Sequence, residues 1–343
     1  MKAVLLESFG GPEQLLYADH ADPKPGPGEA LVRVRACALN HLDIWVRQGI
    51  PAYKIPLPHI LGCDIAGEVL GYGPGASGPP VGARVAVCPG RGCGSCPACW
   101  RGEDSRCKGY GILGAQAGPG GYAELVAVPA KNLFPIPPRL TDEQAAAFPL
   151  TFLTSWHMLV GLGAVRPGQS VLVLGAGSGV GVAAIQIAAL AGARVIATST
   201  SAEKLETARA LGAHETIHHP PESLLRRALK ATDGQGVDLV FEHVGPALFP
   251  EALKCLRPGG ALVTCGATTG PTVELDLRYV FSRELRILGA KMGSLAEFHD
   301  VARLVAGGTL KPVVDSSFPL EEARRAHDYL AAGKQFGKVV LKP

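Results

Sequence analysis

Short apolar runs alternate with helix-compatible segments over residues 170–289, and this alternation limits the possible folds more than any other feature. The run S-V-L-V-L-G leads into the glycine-rich turn A-G-S-G-V-G and then into a helix of small and branched apolar residues. Further strand-like runs are A-R-V-I-A-T-S, G-V-D-L-V-F-E-H-V, A-L-V-T-C-G-A and R-I-L-G-A. Strands that alternate with helices pair in parallel and are covered by those helices. The sequence therefore predicts an α/β fold with a doubly wound parallel sheet.

The first third of the chain has a different texture, in which short strands lie between turns rich in proline and glycine. Examples are A-L-V-R-V-R-A-C-A-L and A-R-V-A-V-C-P, and such strands are typical of a compact antiparallel barrel. A chain of 343 residues also exceeds the size at which a single core keeps growing. We therefore expect a barrel domain over residues 1–145, the α/β domain over 146–290, and a tail over 291–343 that rejoins the barrel domain.

Charge and composition exclude several classes of partner. The formal net charge of +3 gives too weak a field for a nucleic-acid-binding protein. The opening M-K-A-V-L-L-E-S-F-G-G lacks the apolar run of a signal peptide, and the longest apolar stretch, residues 180–190, is too short to span a membrane. The nine cysteines are an odd number, which favours a metal site and free thiols in a reducing compartment over a disulfide framework. These features predict a cytoplasmic protein with no nucleic-acid or membrane partner.

Four cysteines in the segment C-G-S-C-P-A-C-W-R-G-E-D-S-R-C have the spacing of a metal site. Cys93, Cys96, Cys99 and Cys107 supply four thiolates, the tetrahedral ligand set that zinc prefers. Because cysteine fills every position, none is left for water or substrate, and the zinc is expected to be structural. The alternatives are a redox-active cysteine pair, which would use only two of the four, and an iron–sulfur cluster.

The glycine-rich turn after the first strand of the α/β domain predicts a dinucleotide-binding loop. Such a turn lets backbone N–H groups and a helix N-terminus approach a pyrophosphate. The strict G-x-G-x-x-G spacing is absent, so the loop is a variant, but it has a strand before it, a helix after it and a second strand about twenty residues on. A turn without a ligand is the alternative. The expected cofactor-binding residues are Ser178, Gly179, Val180 and Gly181.

The end of the second strand bears on the choice between NAD(H) and NADP(H). An enzyme that uses NAD usually has an acid there for the ribose hydroxyls. Here A-T-S-T-S-A-E-K places Ser199 near that position and has no acid before Glu203. Ser199, Ser201 and Lys204 could instead bind a 2′-phosphate, although Lys204 could equally be a solvated helix residue. NADP(H) is therefore favoured over NAD(H).

The four-cysteine lobe, set between a barrel-like domain and a doubly wound sheet, resembles the medium-chain dehydrogenase/reductase superfamily, which includes zinc alcohol dehydrogenases and quinone oxidoreductases. Matching stretches include G-G-Y-A-E-L-V-A-V-P-A-K-N-L-F-P-I-P, L-R-P-G-G-A-L-V-T-C-G-A-T-T-G and the terminal G-K-V-V-L. The resemblance implies a GroES-like β-barrel catalytic domain, a Rossmann dinucleotide-binding domain and a homo-oligomer, either dimer or tetramer. It also adds Thr154 and Gly266 to the expected cofactor-binding residues.

The sequence departs from alcohol dehydrogenases at the positions that bind catalytic zinc. Their A-C-G-V-C-H-T-D becomes A-C-A-L-N-H-L-D, with Asn40 at the ligand cysteine and Leu42 at the threonine that relays a proton. Their G-H-E becomes Gly-Cys63-Asp64, and their third ligand, a cysteine, falls at about Leu150. The resemblance thus implies that the usual catalytic zinc ligands are largely replaced.

Asn40 and Asp43 instead resemble the N-x-x-D of zinc-independent quinone oxidoreductases, although the tyrosine that follows in those enzymes is Trp45 here. On this resemblance, Asn40 is the expected hydrogen-bond donor to an oxyanion, because a hydride acceptor gains negative charge on oxygen. Asp43 is its expected orienting partner, or alternatively a helix-surface or structural acid. An unorthodox second zinc site is a further alternative. Its candidate ligands are Cys37, His41, His59, Cys63 and Asp64.

Together these features predict an NAD(P)-dependent oxidoreductase of alcohol dehydrogenase type. It would transfer a hydride between a nicotinamide cofactor and a small alcohol or carbonyl substrate. Two alternatives stay open. One is a zinc-independent NADPH:quinone or enone oxidoreductase, and the other is a cofactor-binding protein that retains the fold without turnover.

Overall fold

The computed structural model describes residues 1–51, 53–220 and 222–343 and contains two compact units. Unit 1 comprises Met1–Leu150 and Gly293–Pro343, and unit 2 comprises Thr151–Met292. The strands are β1 (Lys2–Leu6), β2 (Leu15–Asp19), β3 (Glu29–Ala38), β4 (His59–Ile60), β5 (Asp64–Tyr72), β6 (Arg84–Val87), β7 (Gly90–Arg91), β8 (Gly111–Ile112), β9 (Leu125–Pro129), β10 (Leu133–Pro135), β11 (Ser170–Val173), β12 (Arg194–Ser199), β13 (Glu215–His218), β14 (Val237–Glu242), β15 (Leu256–Thr264), β16 (Arg286–Gly289), β17 (Val314–Pro319) and β18 (Lys338–Lys342). The α-helices are α1 (His41–Gln48), α2 (Pro97–Trp100), α3 (Asp142–Ala146), α4 (Pro149–Trp156), α5 (Gly179–Leu190), α6 (Ala202–Ala210), α7 (Leu224–Ala231), α8 (Phe249–Lys254), α9 (Leu277–Ser282), α10 (Leu295–Gly307) and α11 (Ala323–Ala331).

Unit 1 is built around a mainly antiparallel sheet with the strand order β10-β6-β5-β3-β18-β17, and β9 also pairs with β3. Strand β3 alternates buried and more exposed residues along most of its length and becomes buried throughout at its end, as a strand entering the core should. The C-terminal strand β18 pairs with β3, with Leu341 opposite Cys37. Residues from the two ends of the chain therefore meet in the centre of this sheet.

Helix α1 begins directly after β3 because the local sequence supplies a capping box. Asn40 is the N-cap, and the carboxylate of Asp43, three residues later, accepts the backbone N–H of Asn40 at 2.7 Å. The helix ends at Gly49, whose φ of +92° is accessible to glycine at little cost. The capping box thus fixes where the backbone turns from strand to helix.

Unit 2 contains a six-stranded parallel sheet with the order β13-β12-β11-β14-β15-β16. Read by appearance in the chain, this is the doubly wound order, and the direction of winding reverses between β11 and β14. The α/β fold with a doubly wound parallel sheet is therefore confirmed. Helix α5, apolar on all sides, has eight buried residues, as expected for a helix enclosed by its own unit.

The structure also differs in detail from the expected elements. Helix α3 begins with a capping box at Thr141, and a separate helix, α4, begins at Pro149, because proline suits the first position of a helix. Strand β13 and helix α7 were not predicted, because E-T-I-H is short and carries no clear alternation of apolar residues. No helix among the described residues has the length and apolar character needed to cross a membrane.

Candidate functional site

The four predicted zinc ligands lie together in a lobe of unit 1. The side-chain sulfur atoms of Cys93, Cys96, Cys99 and Cys107 are all within 4.8 Å of one another. Cys99 Sγ lies 3.6 Å from Cys96 Sγ and 3.9 Å from Cys93 Sγ. Four sulfurs placed tetrahedrally at the usual Zn–S distance would be about 3.8 Å apart. The spacing therefore fits a single tetrahedral zinc ion.

Backbone groups around the lobe favour thiolates. The Gly94 N–H points at Cys99 Sγ, at 3.4 Å, and the Cys93 N–H points at Cys107 Sγ, at 3.5 Å. The backbone N–H and the hydroxyl of Ser95 lower the pKa of Cys93 to about 6. Since zinc binds thiolates rather than thiols, these donors prepare the site for a metal.

The lobe is also tied to the C-terminal part of unit 1. Asp104, in the loop between Cys99 and Cys107, accepts the N–H of Leu295 at 2.9 Å. Leu295 is the first residue of α10, whose N-terminal N–H groups have no partner within the helix. An ordered lobe therefore helps to fix the start of α10.

In unit 2, the glycine-rich turn forms a tight loop that leads into α5. Ser178 is the N-cap of α5, and its hydroxyl accepts the N–H of Gly181 at 2.9 Å. A Cβ at Gly181 would lie 2.3 Å from the carbonyl oxygen of Gly175, so only glycine fits there. Gly179 and Val180 are the first residues of the helix, where N–H groups have no carbonyl partner within the helix. The loop thus has the backbone form that a diphosphate requires.

The residues expected near the adenosine ribose lie at the end of β12. The buried Ser199 hydroxyl accepts the N–H of Ser201 at 3.1 Å, and Ser201 is the N-cap of α6. Lys204 belongs to the first turn of that helix. His218, at the end of β13, is opposite Ser199 in the strand pairing, and its Nε2 lies 3.1 Å from the Thr200 carbonyl oxygen. A histidine beside this position was not predicted, because the contact depends on the pairing of β12 with β13.

Thr154 and Gly266 occupy different parts of unit 2. The buried Thr154 hydroxyl lies 3.7 Å from the sulfur of Met292. Gly266 follows β15, and a Cβ there would lie 2.7 Å from the carbonyl oxygen of His243. Gly266 is therefore at the same edge of the parallel sheet as the glycine-rich loop.

The predicted catalytic residue Asn40 lies in a buried polar cluster of unit 1 with Asp64 and Lys338. Asn40 Nδ2 donates to Asp64 Oδ2 at 2.9 Å, and Lys338 Nζ donates to Asn40 Oδ1 at 2.6 Å. Lys338 Nζ also lies 2.8 Å from Asp64 Oδ2. The other carboxylate oxygen of Asp64 accepts the N–H of Leu150 at 2.7 Å. The amide, the carboxylate and the ammonium thus hold one another in a fixed arrangement.

Asp43 acts on Asn40 through the backbone rather than through the amide. Its carboxylate accepts the N–H of Asn40 at 2.7 Å and the N–H of Gly62 at 3.1 Å. Burial raises the pKa of Asp43 to about 6, even though these donors and Lys338 oppose the shift. Asp43 is buried, so its alternative reading as a helix-surface acid is wrong.

The residues considered for a second zinc site do not form a ligand cluster. Throughout residues 1–51, 53–220 and 222–343, only the four lobe cysteines bring three or more potential metal-binding His, Cys, Asp or Glu atoms together. Asp64 is instead bonded to Lys338, Asn40 and Leu150. Burial raises the pKa of Cys37 and of Cys63 well above the ordinary range, so both are held as thiols.

Comparison with known proteins agrees with these observations. Residues 26–138 match the model of the alcohol dehydrogenase GroES-like domain, and residues 179–307 match that of zinc-binding dehydrogenase. The chain is 34% identical over 352 residues to a quinone oxidoreductase of Pseudomonas aeruginosa, covering all of this chain and 99% of that protein. The chain belongs to the medium-chain dehydrogenase/reductase superfamily. The predicted family and the GroES-like domain are thus confirmed.

Solved structures of similar proteins cover the whole chain, as two examples show. A protein described as an NAD-dependent alcohol dehydrogenase has 48% identity and a TM-score of 0.97, with complete coverage of both chains. A cobalt- and zinc-bound thermostable alcohol dehydrogenase from Pyrobaculum aerophilum has 34% identity and a TM-score of 0.90, covering 100% of this chain and 99% of its own. These members of the superfamily are oxidoreductases, which supports an enzyme. They include both alcohol dehydrogenases and quinone oxidoreductases, so the site must be used to choose between them.

Two residues of the site were missed by sequence reasoning. Lys338 stands in the terminal strand as one lysine among several, and only the pairing of β18 with β3 brings it to Asn40. His243 follows β14 in a run that indicated only a buried strand. Its Nε2 lies 2.9 Å from the Leu174 carbonyl oxygen, beside the glycine-rich loop. No short motif in the sequence marks either residue.

Proposed function

We propose that this medium-chain dehydrogenase/reductase transfers a hydride between NADP(H) and a small carbonyl, enone or quinone substrate, without a metal at the reacting oxygen. The observation that carries the proposal is the buried ion pair of Lys338 and Asp64, to which the amide of Asn40 is bonded. In this cluster the amide of Asn40 stands at the position where the alcohol dehydrogenase pattern has a ligand cysteine, and the ammonium of Lys338 is bonded to that amide. We also propose that the lobe of four cysteines binds one structural zinc ion.

Asn40 would donate a hydrogen bond to the substrate oxygen as negative charge develops there. One N–H of its amide is held by Asp64 at 2.9 Å, which fixes the plane of the amide. The Nδ2 atom otherwise has only long contacts, 3.4 Å to Cys63 Sγ and 3.5 Å to the Ala38 carbonyl oxygen. The second N–H can therefore turn to a substrate without losing a strong bond.

Lys338 would strengthen this donor. Its ammonium bonds to the Asn40 carbonyl oxygen at 2.6 Å, which draws electron density away from the N–H side of the amide. The negative charge of Asp64 balances the ammonium, so the pair can stay charged although both side chains are buried. A conjugated acceptor suits such a donor, because an enone or quinone spreads the developing charge.

The residues of unit 2 fit a nicotinamide dinucleotide, which supplies or accepts the hydride when bound. The loop at Ser178, Gly179, Val180 and Gly181 would hold the diphosphate on backbone N–H groups. Ser199 and Lys204 support the choice of NADP(H), since the first acid after β12 is Glu203, within α6. Without an acid at the strand end, a 2′-phosphate meets no repulsion there.

Turnover and metal content test this function together. We expect NADPH to be oxidised by a quinone, an enone or an aldehyde in protein that contains one zinc per chain, and to bind more tightly than NADH. Two zinc ions per chain, with activity lost when the more weakly bound ion is removed, would instead indicate a zinc alcohol dehydrogenase. Tight NADPH binding without turnover on all three substrates would indicate a non-catalytic protein.

We further propose that the protein forms a homo-oligomer through β16. This strand is at the edge of the parallel sheet, and Ile287 within it is 37% exposed. Leu277 and Phe281 of the preceding helix are 67% and 69% exposed. An open strand edge beside exposed apolar side chains favours pairing with a second copy of the chain.

A further inference from the structure

His243 occupies a distinctive place in the parallel sheet of unit 2. It directly follows β14, the strand next to β11 at the point where the winding of the sheet reverses. In doubly wound sheets the ligand lies at the carboxyl ends of the strands beside this point. The His243 side chain reaches from the end of β14 to the end of β11, with Nε2 2.9 Å from the carbonyl oxygen of Leu174.

The hydrogen bonds fix which nitrogen of the imidazole carries the proton. The carbonyl oxygen of Leu174 can only accept, so Nε2 must carry the hydrogen and donate it. Burial lowers the pKa of His243 more than the neighbouring Glu242 raises it, which keeps the ring neutral. The imidazole therefore acts as an N–H donor toward β11.

The same N–H also faces the N-cap of α5. His243 Nε2 lies 3.2 Å from Ser178 Oγ. The Ser178 hydroxyl donates to the Gly175 carbonyl oxygen at 2.8 Å and accepts the Gly181 N–H at 2.9 Å. Its hydrogen is thus already used, and its free lone pair can accept the hydrogen of His243. These bonds together join the imidazole to the Ser178 hydroxyl and to the backbone of the loop.

The ring is also in close contact with the loop itself. Gly175 has a φ of +64°, and a Cβ there would lie 2.9 Å from His243 Nε2. The imidazole therefore packs directly against the tight turn at Gly175. His243 is held from the other side as well, because its carbonyl oxygen accepts the Thr268 hydroxyl at 3.0 Å.

A buried carboxylate anchors this arrangement. Glu242, the residue before His243, is fully buried, and its Oε1 accepts the N–H groups of Val244 at 2.6 Å and Gly245 at 2.5 Å. Its Oε2 accepts the Thr264 hydroxyl at the end of β15 at 2.6 Å. The backbone on both sides of His243 is thus fixed, so the imidazole position is set before any ligand binds.

From this geometry we infer that His243 is a positioning residue for the cofactor, whose Nε2–H holds the Leu174–Ser178 loop in the form that binds a dinucleotide diphosphate. The inference rests on the proposed use of a nicotinamide dinucleotide. His243 acts through the loop and does not touch the reacting atoms. Without the His243 side chain, part of the binding energy of the dinucleotide is used to order the loop. The affinity for the dinucleotide therefore falls, while the cluster at Asn40 is unaffected.

Dinucleotide affinity measured directly on the purified full chain tests the inference without the need for a substrate. The dissociation constants of NADPH and NADH would be determined by fluorescence titration for the wild type, His243→Leu and His243→Gln. Leucine leaves the Leu174 carbonyl without its donor, so we expect the dissociation constant to rise at least about tenfold. Glutamine can offer an N–H at a similar reach, and its dissociation constant should stay within about threefold of the wild type.

A matched control is His214→Leu. His214 lies in the same unit at the amino-terminal side of the sheet, where its Nδ1 accepts the N–H of Val195 at 3.1 Å. This variant also loses a hydrogen bond between a histidine and the backbone, here one that the histidine accepts, yet it should bind the dinucleotide like the wild type. Should His243→Leu fail to fold, His243→Asn, whose shorter amide does not reach Leu174, takes its place with the same expected loss.

The possible results separate the inference from the proposed function. If the wild type binds NADPH or NADH and His243→Leu binds equally well, the positioning role is refuted while the proposed function stands. An equal loss in His243→Leu and His243→Gln would refute the assignment to the Nε2–H donor. An equal loss in His214→Leu would show only general destabilisation and would also refute it. If the wild type binds neither dinucleotide, both the proposed function and the inference fall.

Discussion

The ammonium of Lys338 lies 2.8 Å from a carboxylate oxygen of Asp64, and the two side chains are only 4% and 0% exposed. Removing one partner of a buried pair leaves the other charge without compensation. We therefore expect Lys338→Met to lower the free energy of unfolding by about 3–5 kcal/mol in urea titrations. The double variant Lys338→Met/Asp64→Asn should recover part of this loss, since no isolated charge remains.

Lys342 provides the control for this prediction. It lies on the same strand and pairs with Glu143, but its side chain is 51% exposed. Lys342→Met should therefore cost less than about 1 kcal/mol. Equal losses in Lys338→Met and Lys342→Met would contradict a special role for the buried pair.

Asn40→Ala tests the proposed donor. Loss of a hydrogen bond to the developing oxyanion should lower kcat for the best quinone or carbonyl substrate by about 10²- to 10³-fold. The dissociation constant of NADPH should be unchanged, because Asn40 belongs to unit 1 and the glycine-rich loop to unit 2. An Asn40→Ala variant with unaltered kcat would rule out Asn40 as the donor.

In the wild type, kcat/KM should fall as the pH drops through about 6, where Asp43 is protonated and its bonds to the Asn40 and Gly62 N–H groups weaken.

Some features could be predicted from the sequence because they are local. The zinc ligands fall within fifteen residues, and the glycine-rich turn is contiguous with the strand and helix that define it. For both, the spacing along the chain determines the geometry, so no knowledge of the tertiary fold is needed. Asn40 and Asp43 were instead expected from the resemblance to a known family, and the structure shows that they are the N-cap and N3 residues of one capping box.

Other features could not be predicted because they depend on distant pairings. Lys338 and Asp64 are 274 residues apart, and they meet only because β18 joins the sheet beside β3. His243 meets Ser178 across 65 residues through the order of the parallel strands. A single lysine or histidine carries no local signal for such a contact. The sequence thus indicated where Asn40 lies but not which groups hold its amide.

Zinc content and stability should depend on the cysteine lobe. We expect the purified protein to contain one zinc per chain by elemental analysis, and Cys99→Ser to lose it. Since the lobe fixes the first N–H of α10 through Asp104, the variant should also unfold at a lower temperature. Cys265→Ser, in unit 2, is the control and should retain both zinc and stability. If Cys99→Ser kept its zinc, the four-sulfur assignment would be wrong.

The oligomer proposed through β16 can be tested by light scattering coupled to size-exclusion chromatography. A lysine at the exposed Ile287 would place a charge on the open strand edge, so Ile287→Lys should shift the protein toward the monomer of 35.6 kDa. Val81→Lys replaces a residue of unit 1 that is 64% exposed, and it should leave the mass unchanged. A wild-type protein that is already monomeric would refute the proposal.

His327 is fully buried in unit 1 between Arg47 and Tyr122. Arg47 Nη1 donates to His327 Nδ1 at 3.2 Å, so Nε2 carries the hydrogen and donates to the Tyr122 hydroxyl, also at 3.2 Å. Burial, helped by the charge of Arg47, lowers the pKa of His327 to about 3.

Because the unfolded histidine has its ordinary pKa near 6.5, the unfolded state binds a proton that the folded state refuses as the pH falls below that value. Stability therefore decreases toward acid, by about 2 kcal/mol from this residue between about pH 7.5 and pH 5. In urea titrations at the two pH values, His327→Gln should lose about 2 kcal/mol less than the wild type. If the acid-induced loss in His327→Gln equalled that of the wild type, His327 would have to accept a proton in the folded protein, and the hydrogen-bond directions given for Arg47 and Tyr122 would be wrong.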